Sequence, residues 1–116
     1  MFSERTRHRL HDIQEDARRI ESFIEGMTLS DFIANERTIF AVERLLQRIT
    51  EAAIQIEPGD AEKIGPVLPI AQMRSLGNRL RHEYRYVDRA VIFELARMEV
   101  PSLSAEIEVA LALQGD

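Results

Sequence analysis

The residues best suited to chemistry lie between Gly77 and Asp88, where a histidine and two tyrosines stand among arginines. His82 carries the side chain whose ordinary pKa allows proton transfer near neutral pH. From residue 74 to residue 89 there are five arginines and two acidic residues, whereas the whole chain has a net charge of −5. A positive segment in an acidic protein indicates a site for an anion such as a phosphate backbone.

Helical spacing would bring the polar side chains of this segment onto one face. Asn78, His82 and Arg85 follow at steps of four and three residues, and Arg79 precedes His82 by three. Such a set could cleave RNA: the imidazole moves a proton to or from the ribose 2′-OH or the leaving oxygen, a guanidinium neutralises charge on the phosphate, and the amide orients either group. Further phosphate contacts are predicted for Arg74 and Arg81. The alternative is a basic helix end whose arginines pair with Glu83, Asp88 and acids of neighbouring helices.

Other chemistries have little support in the sequence. The chain has no cysteine, which excludes disulfides, thiolate metal sites and thiol catalysis. His8 and His11 have a spacing that could hold a metal ion, but no third ligand is evident. There is no dinucleotide-binding glycine motif, phosphate-cradling glycine loop or serine-histidine-aspartate signature. We therefore predict neither a metal nor a cofactor.

Apolar residues at helical spacing predict two long helices in the first half of the chain. The first helix ends near Gly26, and residues 28–31 form a turn rich in capping residues. The second helix is stopped by residues 57–60. Complementary stripes of this length predict an antiparallel pair that crosses near +20°. The inward residues are Leu10, Ile13, Ala17, Ile20 and Ile24 in the first helix, and Ile39, Val42, Leu46, Ile49, Ala53 and Ile56 in the second.

The second half is predicted as a connector over residues 61–69 followed by further helices. Pro69 opens the first of these, and Asp88 is the predicted N-cap of the next, which ends before Pro101. Ser102 is the predicted cap of the last helix. The fold class is an all-α, up-and-down bundle of four to five helices in a single domain, residues 1–116. The inward residues are predicted to be Ile70, Met73, Leu76 (or Gly77) and Leu80, then Val91, Ile92, Leu95 and Ala96, and finally Leu103, Ile107, Ala110, Leu111 and Leu113.

The chain shows no signal for a membrane. Its first residues are charged and include no apolar signal stretch. No apolar run approaches the roughly 18 residues that span a bilayer. We expect a soluble cytoplasmic protein that does not contact membranes.

Several dispersed blocks, in the same order along most of the chain, resemble the HepT-like toxins of the HEPN superfamily. Residues 13–26 resemble the first helix of that family, and residues 32–53 resemble the second. The segment from Arg74 to Asp88, with Asn78, His82 and Tyr84, resembles the family's motif segment. Pro101-Ser102-Leu103 resembles its closing motif.

The resemblance implies the toxin half of a two-gene toxin–antitoxin pair. The implied activity is metal-independent RNA cleavage in a groove between two subunits of a homodimer or higher assembly, and the implied partner is a minimal nucleotidyltransferase antitoxin. The family motif is an arginine, four to six residues, a histidine, one residue and a tyrosine. His82 and Tyr84 match the histidine and the tyrosine, and Asn78 matches the usual asparagine. In some members the antitoxin adds AMP to this tyrosine, which makes Tyr84 a candidate for modification.

The motif arginine has no counterpart in this chain. The permitted positions hold Ser75, Leu76 and Gly77, and Arg74 lies one residue too far upstream. An extended Arg74 could partly bridge the distance to His82; the other sources of the charge are Arg79, Arg81, Arg85 or a residue of the second subunit. A second hypothesis follows, in which the protein is a helical interaction module that has lost catalysis and acts through its nucleotidyltransferase partner.

Overall fold

The computed structural model describes residues 1–64 and 88–115, and both of these described segments are helical and contain no strand. The predicted all-α bundle is confirmed. The helix predicted to begin at Pro69 lies outside the described residues. The elements are α1 (Glu4–Ile24), α2 (Leu29–Ile33), α3 (Glu36–Ile54), α4 (Pro58–Ile64), α5 (Arg89–Glu94), a π-helical turn (Leu95–Glu99) and α6 (Val100–Leu113).

Helices α1 and α3 form the centre of the bundle, because all eleven predicted inward residues of the two stripes are buried. Polar contacts fix their relative direction. Thr6 on α1 is hydrogen-bonded to Asp60 just beyond α3, and Asp16 is paired with Arg48. Going along α1 from Thr6 to Asp16, the partner moves back along the chain from Asp60 to Arg48. Helices α1 and α3 are therefore antiparallel, as predicted. The crossing angle stays a prediction.

The caps explain where these helices begin and end. Ser3 Oγ accepts a hydrogen bond from Thr6 N at 3.1 Å at the start of α1. Gly26 has φ of +75°, a left-handed conformation that ends the helix with little strain in the absence of a Cβ. The predicted turn at residues 28–31 continues as the short helix α2, because Thr28 and Asp31 form a capping box.

The prediction of a connector from residue 61 is wrong for its first four residues. Residues 58–64 form α4, which begins at Pro58, where the missing N–H and restricted φ suit the first turn of a helix. Ile64 is buried, and Asp60 bonds to Ser3 and Thr6. These contacts hold α4 against the start of α1.

The predicted break before Pro101 is also wrong. Asp88 is the N-cap of α5, as predicted, but helical structure then continues past Pro101 to Leu113. Pro101 cannot donate a backbone hydrogen bond, and the preceding turn widens so that the N–H of Val100 bonds to the carbonyl of Leu95. Ser102 therefore lies inside α6 and is not its cap.

The C-terminal helices complete the core with three departures from the predicted inward residues, of which Leu95 is half-buried. Leu113 is 78% exposed and Val91 is 39% exposed. Within the core, the rings of Phe32 and Phe93 lie 5.0 Å apart and join α2 to α5. None of the described helices is long and apolar enough to cross a membrane.

Candidate functional site

The predicted catalytic and phosphate-binding residues lie outside the described part of the chain. The structure does describe the two elements that flank them, which are α4 before the segment and α5 after it. The roles of these residues therefore stay predictions. The residues concerned, all outside the described part of the chain, are Arg74, Asn78, Arg79, Arg81, His82, Tyr84 and Arg85, together with Gly77.

Asp88 fixes the point at which the chain leaves the motif segment. Its Oδ1 accepts a hydrogen bond from Ala90 N at 2.8 Å, and its carbonyl accepts one from Ile92 N at 3.1 Å. Ile92 is fully buried, so the first turn of α5 is set in the core. Asp88, which lies four residues after Tyr84 in the sequence, thus has a defined place on the bundle.

Arg89, the last arginine of the basic segment, joins α5 to α2 and α3. Its Nη1 donates a hydrogen bond to the carbonyl oxygen of Ile33 at 3.0 Å, and its Nη2 lies 3.6 Å from Glu36 Oε1. Burial raises the pKa of the nearby Glu43 carboxyl, and the charge of Arg89 opposes this rise. Arg89 therefore behaves as the alternative hypothesis expects, because it pairs with an acid of a neighbouring helix.

A cleft of about 720 Å³ opens beside Arg89. The two carboxylates in its wall are already engaged. Asp31 accepts the N–H of Thr28 in the capping box, and Glu36 faces Arg89. Arg37 also lines the cleft. The cleft could not be predicted from local sequence, because it forms where Arg89 meets the distant stretch of residues 27–37. The lining residues are Met27, Asp31, Ile33, Ala34, Asn35, Glu36, Arg37 and Arg89.

Two buried acids outside this cleft, Asp16 and Asp60, have structural partners. Asp16 is buried and pairs with Arg19 at 2.7 Å and Arg48 at 3.0 Å. Asp60 accepts a hydrogen bond from Thr6 Oγ1 at 2.6 Å and another from Ser3 N at 3.1 Å. These bonds outweigh the effect of burial and lower the pKa of Asp60 to about 2. Both carboxylates hold helices together.

The two N-terminal histidines do not form part of a metal-binding cluster among residues 1–64 and 88–115. His8 and His11 are both exposed on α1. Their spacing of three residues makes them neighbours on one face of the helix.

Comparison with known proteins gives consistent results across most of the chain. Residues 13–110 match the family described as "Ribonuclease HepT-like". A protein of Thermococcus cleftensis named "Probable ribonuclease HepT" is 34% identical over 99 residues, which cover 85% of this chain and 89% of the relative. Two Methanocaldococcus jannaschii proteins, each named a "Putative RNase", are 33% and 32% identical over 85% and 86% of this chain, and over 81% and 91% of their own lengths.

Proposed function

This chain belongs to the ribonuclease HepT-like family, and on that premise we propose that it is a metal-independent endoribonuclease. The observation that carries the proposal is the family match over residues 13–110, which includes the His82 and Tyr84 motif. The relatives named as ribonucleases cover the same part of the chain. The proposed substrate is RNA, and the proposed compartment is the cytoplasm.

The proposed mechanism uses the 2′-OH of the RNA as the nucleophile. The 2′ oxygen forms a bond to phosphorus, the bond from phosphorus to the leaving 5′ oxygen breaks, and one proton passes from the 2′-OH to the leaving oxygen. His82 transfers this proton at one of the two oxygens, or contacts the phosphate. Asn78 orients the imidazole or the phosphate. Arg79 and Arg85, with Arg74 and Arg81 nearby in sequence, bind the phosphate and neutralise its growing charge.

The test is cleavage of RNA by the purified protein and by its His82→Ala variant. We expect the substitution to reduce the cleavage rate by at least about 100-fold, the usual contribution of general acid–base catalysis. His8→Ala is the matched control, since His8 is exposed on α1 and far from the motif in sequence. Equal cleavage by the wild type and His82→Ala, or none by either in the absence of a partner, contradicts the nuclease proposal.

A specific residue supports a second candidate function. Gly77 occupies a position at which the family motif permits its arginine, and losing such a cation commonly costs about 3–4 kcal/mol of transition-state stabilisation. In this alternative the protein is a catalytically degenerate module that acts through its partner. Gly77→Arg separates the candidates: cleavage that appears only in the variant supports the degenerate module. Cleavage by the wild type that the variant leaves unchanged contradicts it.

We further propose that the protein is the toxin of a toxin–antitoxin pair, a homodimer, and the substrate of a nucleotidyltransferase antitoxin that adds AMP to Tyr84. These proposals are supported by the resemblance of the motif segment. Mass spectrometry after co-expression with such an enzyme should show AMP on the wild type and none on Tyr84→Phe. An unmodified wild type beside an active enzyme contradicts the modification.

Light scattering should give twice the 13.3 kDa mass of the chain, and a monomer contradicts the dimer.

A further inference from the structure

The solvent face of α3 carries an exposed phenylalanine between two arginines. Phe40 is 58% exposed, and Arg37 and Arg44 lie three residues before it and four residues after it. Side chains at these spacings are neighbours on one face of a helix. We call Arg37, Phe40 and Arg44 the α3 stripe.

Packing of the bundle does not account for this surface. Helix α3 contacts the core through its opposite face, which includes Ile39, Val42 and Leu46. A single exposed apolar side chain is common on protein surfaces. Phe40 has Arg37 and Arg44 as helical neighbours. Its other two neighbours are Glu36, which faces Arg89, and Glu43, which is half-buried.

The two arginines of the stripe have no acidic partner among the described residues. Nearby arginines do: Arg48 pairs with Asp16, and Arg89 with Glu36. Arg44 Nη1 donates a long hydrogen bond of 3.4 Å to the neutral amide oxygen of Gln47. Arg37 also lines the cleft beside Arg89, so the stripe begins at the place where the motif segment joins α5. Both guanidinium groups of the stripe are therefore open to an anionic ligand, as far as the described residues show.

An aromatic ring flanked by arginines has the chemistry of a surface for single-stranded nucleic acid. Unpaired bases stack on aromatic side chains, while arginines bind the adjacent phosphates. We propose that the α3 stripe is a second RNA-binding surface, which stacks one unpaired base on Phe40 and binds the flanking phosphates through Arg37 and Arg44. This inference rests on the proposed function for the presence of RNA, and it adds that the substrate is unpaired where it crosses α3.

The charges favour RNA over a second copy of the chain as the occupant. If two stripes met across a two-fold axis, each copy would bring its own Arg37 and Arg44 to the interface, and like charges would face each other. Duplex RNA fits less well than a single strand, because its bases are already stacked and paired.

The experiment measures the affinity of the full-length protein for a fluorescent 12-nucleotide 2′-O-methyl RNA. The methyl groups block the 2′-OH nucleophile, so binding is measured without cleavage. Phe40→Ala should weaken binding of the single strand about tenfold, and Phe40→Trp should preserve it. Arg37→Gln and Arg44→Gln should each lower the slope of log affinity against log salt by about 0.7. The matched controls are Val109→Ala and Arg18→Gln, which alter an exposed apolar residue and an exposed arginine elsewhere; neither should have these effects.

Three results would overturn the inference. The first is wild-type affinity in Phe40→Ala. The second is an equal loss of affinity for the same strand annealed to its complement. The third is conversion of a dimer to a monomer in Phe40→Ala, which would identify a second copy as the occupant.

Cleavage of the unmodified strand separates this inference from the proposed function. If the wild type cleaves RNA and the stripe variants bind and cleave equally well, only the inference fails. If the stripe variants lose affinity as expected but the wild type does not cleave, only the proposed activity fails.

Discussion

Asp60 is a buried carboxylate with hydrogen bonds from three residues. Ser3 N and Thr6 Oγ1 donate to Oδ2, and Lys63 Nζ lies 3.2 Å from Oδ1. A buried charge is stable when its hydrogen bonds and partner charge replace the water that it has lost. Asp60 thereby joins the start of α1 to α4, the last described helix before the motif segment.

Asp60→Asn should lower the free energy of unfolding by about 1–3 kcal/mol at pH 7, because the bonds to Ser3 and Thr6 lose their charged acceptor. Urea denaturation measures this change. Glu62→Gln is the matched control, since Glu62 is exposed on the same short helix, and it should change stability by less than about 0.5 kcal/mol. Equal effects of the two substitutions would show that the Asp60 bonds contribute no specific stability.

The same carboxyl predicts a dependence of stability on pH. Its pKa is about 2 in the folded protein, below the ordinary value of 3.8. A lowered pKa means that the stabilisation is fully present above the unfolded value and is lost as the pH falls from about 4 through about 2. The stability difference between the wild type and Asp60→Asn should therefore shrink over this range. A difference that stays constant from pH 5 to pH 2 would contradict the assignment.

At the scale of the element, α5 and α6 form one helical path whose first cap is Asp88. The cap comes directly after the motif segment, and the buried Ile92 lies four residues later. The π-helical turn accommodates Pro101 within this path. The position of α5 thus depends on a side-chain cap at one end and a widened turn at the other.

Asp88→Ala should lower the free energy of unfolding by about 1 kcal/mol, because the N–H of Ala90 loses its acceptor. Asp88→Asn and Asp88→Ser are the matched controls, since asparagine and serine cap helices about as well as aspartate does. Urea denaturation of the four proteins checks the order. Equal destabilisation by all three substitutions would show that capping is not the role of this side chain.

At the scale of the whole molecule, the bundle is held by its apolar core and by contacts between segments distant in sequence. Phe32 on α2 is fully buried against Phe93 on α5. This contact joins the two described parts of the chain on either side of the motif segment. The same end of the bundle contains the cleft beside Arg89, which is lined by residues of α2, α3 and α5.

Phe32→Ala should destabilise the protein by about 3–5 kcal/mol, because it removes a buried ring and leaves a cavity. Phe40→Ala is the matched substitution at an exposed phenylalanine and should change stability by less than about 0.5 kcal/mol. Urea midpoints for the two variants test the contrast. A large loss in Phe40→Ala would mean that this ring belongs to the fold, and that its effect on RNA binding could not be assigned to stacking.

Hydrophobic periodicity was sufficient to predict the helical class, the two long stripes and the cap at Asp88, because each depends on residues within a few positions of one another. It failed at Leu113 and at Val91, since periodicity places a residue on a helix face but does not say how far the neighbouring element extends. The break predicted at Pro101 was also wrong, because the hydrogen bonds of the surrounding helical turns outweighed the one bond that proline cannot make.

For the candidate site, the sequence by itself supplied the motif residues and the departure at Gly77, because these are matters of residue type and spacing. The tertiary structure decided that Arg89 is engaged with Ile33 and Glu36, whereas Arg37 and Arg44 beside Phe40 have no acidic partner among the described residues. Which arginines are paired depends on contacts between residues as many as 56 positions apart. Such distances in the chain become short distances in space only when the core has packed.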